Sequence, residues 1–414
     1  MTILYCGIDV SLDSCAVCCN DSNGQIIASP ASFDNDLAGA VSLVAFLVDL
    51  AAKQSAAGLK IGLEATSVYG VHLRDFLMAS EELEAFAAQV YEINPALVAN
   101  FKKALPKRPK TDTMDAYAIA ERVRFGHLTP FSKERLVVSP LLQLTRLRLH
   151  LVNTLAIEQT RAHNYIYLKF SNYQRENPFS ATFGQSSLAV LSEFTPDELL
   201  NLELDDLVGF ILANGNNRLG DPLQYAKKLK SMANRAYRLN PTMADAVETV
   251  LSMTIGNIHF LKSQIQKLDR LIGRQLKAIP QTLTTVPGIG PVFASGIIAE
   301  VGDIRRFHNE AALAQFAGLT WTRYQSGHFD AEERSLTKTG NRYLRYYLVE
   351  AANSLRVHNE EYKRFYKVKY SQVPKHQHKR ALVLTARKFV RLVYALLSKG
   401  QIYKGSMIDV PPLG

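Results

Sequence analysis

Four acidic side chains stand where an α/β fold could gather them. Asp9 closes an apolar, strand-like run in Gly7-Ile8-Asp9-Val10-Ser11, and Glu64 closes another in Gly62-Leu63-Glu64-Ala65-Thr66. Asp112 and Asp115 lie in Lys110-Thr111-Asp112-Thr113-Met114-Asp115-Ala116. Their i, i+3 spacing puts both carboxylates on one face of a starting helix. Singly, each has a plain structural explanation: an Asp at a strand end is commonly a turn or cap residue, and Asp112 suits a helix N-terminus. If the two strands are neighbours and the helix crosses them, however, all four converge. Carboxylates brought to one point repel unless a cation joins them, and hard divalent ions such as Mg²⁺ (or Mn²⁺) take oxygen ligands. Two such ions can activate a nucleophile and stabilise a leaving oxygen in phosphodiester cleavage. The cysteines offer less. Cys6, Cys15, Cys18 and Cys19 all fall in the first 20 residues, and the Cys15/Cys18 pair lacks the partners of a zinc site. They read as small buried strand residues of a reduced protein.

The elements that must position these acids follow from periodicity. Strands are expected at 3–10, 15–19 and 25–28, the last two joined by a turn at Asn23-Gly24. A helix over 35–53 carries Leu37, Val41, Val44 and Val48 on one face, a strand ends in Glu64, and a helix covers about 69–80. A strand at about 84–90 and helices to about 125 complete the set. Three strands, helix, strand, helix, strand, helix is an order that resembles the ribonuclease-H type of domain. Further on, 136–165 reads as a long helix. Over 244–276 the residues Val247, Leu251, Thr254, Ile258, Leu261, Ile265, Leu268 and Ile272 form a heptad seam, which predicts coiled-coil-like packing against the first long helix or a second subunit. The segment at about 170–240 reads as an insert without readable chemistry. The expected division is therefore 1–130, 131–279 with its insert, 280–400, and a tail at 401–414.

The 414-residue chain has a net charge of +10, unevenly placed. Residues 1–100 hold 3 Lys/Arg against 12 Asp/Glu, a net of −9; residues 301–414 hold 20 against 9, a net of +11. A basic C-terminal region suits a polyanion partner. No apolar run reaches the roughly 20 residues that span a bilayer, and Met1-Thr2-Ile3 does not open like a secretory leader, so the expectation is a cytoplasmic, nucleoid-associated protein without a membrane partner. Residues 286–291, Val-Pro-Gly-Ile-Gly-Pro, open an apolar helix. Gly288 and Gly290 would let backbone N–H groups approach a phosphate at that helix start, which resembles a helix-hairpin-helix contact to a nucleic-acid backbone.

Taken with Gly318-Leu319 leading to Gln325-Ser326-Gly327, and with Thr337-Lys338-Thr339-Gly340-Asn341-Arg342-Tyr343-Leu344-Arg345, these motifs resemble the DEDD-type transposases of the insertion-sequence one-ten family, which include the Piv invertase relatives. The resemblance covers residues 1–125 and about 280–400. It implies an α/β, RuvC-like N-terminal domain, a long helical segment, and an α-helical C-terminal transposase domain. It also implies metal-binding carboxylates at Asp9, Glu64, Asp112 and Asp115, and a nucleophilic Ser326 that holds a DNA strand as phosphoserine. Ser335 is the second candidate, and His328 is the nearest His. A structured bridge RNA, donor and target DNA, and a homo-oligomer (a tetramer built as a dimer of dimers) are the implied partners. Arg323, Lys338, Arg342 and Arg345 are the expected phosphate contacts, and Lys375 to Arg380 form a further basic cluster. Tyr343, Tyr346 and Tyr347 could stack on bases or pack in the core. Two other readings are a structure-selective, metal-dependent nuclease in which water attacks, and a non-catalytic nucleic-acid-binding protein.

Overall fold

A computed structural model describes residues 2–28, 30–65, 68–104, 112–215, 220–321, 325–326, 329–330 and 336–405. The chain divides into two units: residues 1–138 with 302–308, and residues 139–301 with 309–414.

The first unit is built on β1 (Thr2–Val10), β2 (Ser14–Asn20), β3 (Ala31–Asp34), α1 (Leu37–Lys53), β4 (Ala56–Glu64), α2 (Tyr69–Ala79), α3 (Glu81–Glu84), β5 (Gln89–Ile93), α4 (Pro95–Ala104) and α5 (Asp112–Phe125). Its sheet runs β3-β2-β1-β4-β5. The first three strands are antiparallel, and β1, β4 and β5 are parallel. This is the mixed sheet that the order of elements predicts. The expected third strand at 25–28 is corrected. Asp21 accepts from the Asn23 and Gln25 backbone N–H groups and closes a turn there. Only an isolated Asn20–Ile26 bridge follows, and the ladder resumes at 31–34 after Pro30, whose missing N–H cannot pair. The fifth strand likewise lies later than expected, because Ser80 caps the short α3 in its place.

One sheet face is oily. Leu4, Cys6 and Ile8 of β1, with Leu59, Ile61 and Leu63 of β4, are buried in one cluster with Leu43 and Leu47 of α1. Strand alternation sends Gly7, Asp9, Gly62 and Glu64 to the opposite face, which α5 covers. All four cysteines are buried. Cys6 and Cys19 face each other in the β1–β2 register and are joined as a disulfide, where the sequence suggested four reduced thiols. Cys15 and Cys18, three apart on a strand, point to opposite faces and cannot share one ligand. Burial, with Asp9 and Glu121 respectively in second place, pushes both thiols up to about 11.

The second unit is helical. Most of α6 (Lys133–Lys169) belongs to it, and α7 (Tyr173–Glu176), α8 (Gln185–Glu193), α9 (Pro196–Asn201), α10 (Leu204–Asn214), α11 (Pro222–Asn234) and α12 (Pro241–Leu276) follow. The 170–240 insert is thus a set of short helices. Its Leu188, Leu207 and Leu229 share a core with Ala162 and Ile166 of α6, with Phe170 just after it, and with Leu251, Ile255 and Ile258 of α12. The heptad seam is largely buried within the chain, and Arg148 of α6 pairs with Asp269 of α12. The unit closes with α13 (Pro291–Val301), α14 (Glu310–Phe316), α15 (Arg342–His358), α16 (Glu360–Ser371) and α17 (Gln377–Lys399), and with the short strands β6 (Gln325–Ser326) and β7 (Phe329–Asp330). Among the described residues, no helix is long and apolar enough to cross a membrane.

Candidate functional site

Two glycines create the site by their smallness. A methyl group at Gly7 would overlap the Ala116 carbonyl oxygen and the Ala120 nitrogen of α5, and one at Gly62 would meet Val123 Cγ2 at 2.5 Å. Without a Cβ at either position, α5 settles directly onto β1 and β4. Two residues further along each strand, on the same face, stand Asp9 and Glu64. The Ile8–Leu63 pairing puts them side by side at the ends of neighbouring parallel strands. Because Ala116 lies over Gly7, the first turn of α5, with Asp112 and Asp115, falls at the carboxylate end. The Asp112 side chain lies outside the described residues.

Electrostatics report the grouping. Burial is the largest influence on Glu64 and raises its carboxyl above its ordinary range of about 4.5. Lys102 opposes that rise, while Asp9 and Asp115 add to it. Asp9 and Asp115 thus both lie within electrostatic reach of Glu64, together with a lysine that the sequence did not single out. Lys102 Nζ lies 2.8 Å from Asp115 Oδ1. The lysine ends α4, which Asn94 starts by accepting from the Ala96 N–H, and α4 packs on α5 through Phe101 and Phe125, rings 5.8 Å apart. The signal for this geometry was readable in part: Gly7-Ile8-Asp9 and Gly62-Leu63-Glu64 repeat one Gly-x-acid spacing. Lys102 had no such signal, because its role depends on how α4 docks.

The donors fit a hard divalent cation. They are carboxylate oxygens, the ligand type that hard divalent ions take, and among the described residues Lys102 is the basic side chain paired with one of them, Asp115. Among the described residues, no three His, Cys, Asp or Glu side chains stand as a ready-made metal cluster. Asp9, Glu64 and Asp115, with Asp112, are the residues that would hold the ion.

The C-terminal candidates are placed differently. Gln325 and Ser326 pair with Asp330 and Phe329 across β6 and β7, so the backbone of Ser326 lies in a short hairpin. The stem below it is held by a Trp321–Leu336 bridge and by the Thr337 N–H donating to the Thr320 carbonyl at 2.9 Å. The Ser326 side chain, Arg323, Gly327, His328 and Ser335 lie outside the described residues. Gly290 opens onto free space directly before α13, whereas Gly288, at φ +93°, is covered by Ser354 and His358 of α15. Lys338 and Arg342 are exposed. Arg345 instead donates to the Ala317 and Lys338 carbonyls at 3.1 and 3.0 Å and ties the base of the stem together. Tyr347 is core, its hydroxyl donating to the Thr145 carbonyl at 2.7 Å. Tyr343 is flanked by Arg146 and Arg342, 4.5 and 4.8 Å from its ring centre.

Residues 6–170 match a transposase family of the DEDD IS110 type, and residues 280–367 match the transposase IS116/IS110/IS902 family. The chain belongs to the IS110 family of transposases. The first match contains Asp9, Glu64, Asp112 and Asp115, the second Gly288, Gly290, Ser326 and α15; residues 171–279 lie in neither. The transposase for insertion sequence element IS1111A of Coxiella burnetii is 27% identical over 193 residues, 44% of this chain and 52% of that protein. An IS110 43.6 kDa protein of Streptomyces coelicolor is 28% identical over 165 residues, 39% of each chain. The pilin gene-inverting protein of Moraxella bovis is 28% identical over 159 residues, 37% of this chain and 49% of that one. Matched segments thus span about half or less of these relatives. Among solved structures, Thermus thermophilus RuvC is similar over 32% of this chain and all of its own, at 14% identity and a TM-score of 0.24.

Proposed function

We propose that this IS110-family chain is a DNA recombinase that cleaves and rejoins strands during transposition. In this reading, Asp9, Glu64, Asp112 and Asp115 hold divalent Mg²⁺ (or Mn²⁺) and Ser326 is the nucleophile. The observation that carries the reading is the placement of Asp9 and Glu64 side by side at the ends of β1 and β4, with Asp115 in the first turn of α5 close enough to raise the Glu64 carboxyl. A bound divalent ion would supply Lewis-acid stabilisation of the attacking and leaving oxygens. The chain's own residues do the rest. The carboxylates orient around the reacting phosphate, and the serine hydroxyl forms an Oγ–P bond as one P–O bond to deoxyribose breaks. The serine proton is given up, the leaving oxygen ends as a hydroxyl, and attack by a new strand's hydroxyl reverses the step and frees the serine. Exposed Lys338 and Arg342, and the open backbone at Gly290, are suited to holding DNA phosphates. The division into 1–130, 131–279 and 280–400, a tetramer, the helix-hairpin-helix contact and a bridge RNA complete the proposal.

A suicide DNA substrate tests the chemistry. The wild-type protein should form a covalent DNA adduct that resists denaturant, and Ser326→Ala should bind DNA without forming one. Adduct formation by Ser326→Ala would assign the nucleophile elsewhere. Sequencing of RNA that co-purifies with the protein from its native host tests the guide, and recovery of no discrete RNA removes it from the proposal.

A further inference from the structure

Lys102 is ion-paired with Asp115, one of the carboxylates proposed above to hold the metal. Its ammonium is 2.8 Å from Asp115 Oδ1, and the two side chains keep 32% and 22% of their exposure. This is more than a surface tether finding the nearest acid. Val98 and the Phe101–Phe125 contact seat α4 on α5, so packing delivers the last turn of α4 to the carboxylate end of the sheet. The neighbouring Lys103, exposed, reaches only Asn100 within its own helix, at 3.4 Å.

An ammonium and a divalent cation compete for such a place. Each relieves the repulsion among carboxylates, but a cation bound to Asp115 would face the Lys102 charge at close range. The two positive charges repel in a half-buried site where solvent screens them incompletely. We infer that Lys102 is the resident counter-cation of the carboxylate cluster: it holds Asp115 until a divalent cation takes that oxygen, and is then released toward the phosphate being cut. The inference rests on the proposed reading of the carboxylates as metal ligands. It makes a prediction of sign that a merely structural ion pair does not. A structural lysine, once removed, would leave metal binding unchanged or weakened by disorder. A competing lysine, once removed, makes metal binding tighter.

The test is calorimetric titration of the full chain with Mn²⁺ alone, without DNA, at neutral pH. Lys102→Met should bind Mn²⁺ about tenfold more tightly than wild type, Lys102→Arg within about threefold of it, and Lys103→Met indistinguishably from it. If Lys102→Met fails to melt cooperatively, Lys102→Gln takes its place. Equal or weaker binding by a folded Lys102 variant, with wild type binding normally, overturns the inference and leaves the metal reading intact. Absence of binding by folded wild type and variant alike overturns both.

Discussion

Each unit of the molecule contains an acid–base cluster, and the two are balanced in opposite ways. In the helical unit, the Glu300 side chain is 1% exposed and fully served: Arg146 forks onto it at 2.8 and 2.9 Å, and the Asn341 amide donates at 2.6 Å. Asn341 also caps α15 by accepting from the Tyr343 and Leu344 N–H groups, so one carboxylate fixes α6, α13 and α15 together. In the N-terminal unit, Asp9, Glu64 and Asp115 stand at the carboxyl ends of the central strands, Lys102 pairs with Asp115, and burial with like charge pushes Glu64 upward. Both clusters set carboxylates beside a basic side chain, but the ratio of acids to that base differs. A satisfied buried pair specifies geometry, whereas neighbouring like charges that push a carboxyl upward leave electrostatic strain in the folded protein. The contrast explains why the two clusters should respond differently to mutation.

The largest expected effect is at the unbalanced cluster and concerns activity. Asp115→Asn should reduce strand cleavage by about 1000-fold while leaving the unfolding midpoint unchanged or raised, because it removes a ligand and a repulsion together. Cleavage rates beside a denaturation curve check this, and a variant that loses activity by unfolding would make the two clusters alike. Arg146→Ala should do the reverse. It strands Glu300 in the helical unit and should lower the unfolding free energy by about 3 kcal/mol in urea titrations; a loss under about 1 kcal/mol would mean that the balanced pair is not holding the helices.

Gly7→Ala sharpens the geometric half of the contrast. Its methyl overlaps the α5 backbone, which cannot swing away as a side chain can. It should cost about 2–3 kcal/mol and weaken Mn²⁺ binding as α5 lifts from the sheet. Unchanged stability and metal affinity would show that close approach of α5 is not what forms the site.

The smallest effect is a pH signature. The Glu64 carboxyl titrates above 4.5 in the folded protein. Its contribution to stability is therefore fully present below 4.5 and is lost as pH rises through the folded value. Glu64→Gln lacks that loss. Its stability relative to wild type should rise from acid to neutral pH, by an amount that solvent screening keeps small. Urea unfolding at several pH values measures this, and a flat or falling difference would remove the charge imbalance at Glu64.

Much of this was legible in the residues. Alternation and helical spacing predict the N-terminal elements, and the acids at their ends mark the site before any contact is known. The misplaced third strand shows where local reading stops: the Asn23-Gly24 turn is real, but pairing resumes only after Pro30. Arg342 and Arg345 look equivalent at i, i+3, yet one is exposed and the other is spent on backbone carbonyls. The C-x-x-C spacing lacks the partners of a zinc site, and the strand sends its two thiols to opposite faces.

The sequence by itself determined the identity and order of the elements, the long helices, the four acids at element ends and the basic C-terminal region, because these depend on neighbours within a few residues. Tertiary structure decided which groups share a charge. Lys102 meets Asp115, and Arg146 meets Glu300 across 154 residues, only because helices dock where small or apolar residues let them. Such docking depends on contacts remote in the chain, and no local pattern encodes it.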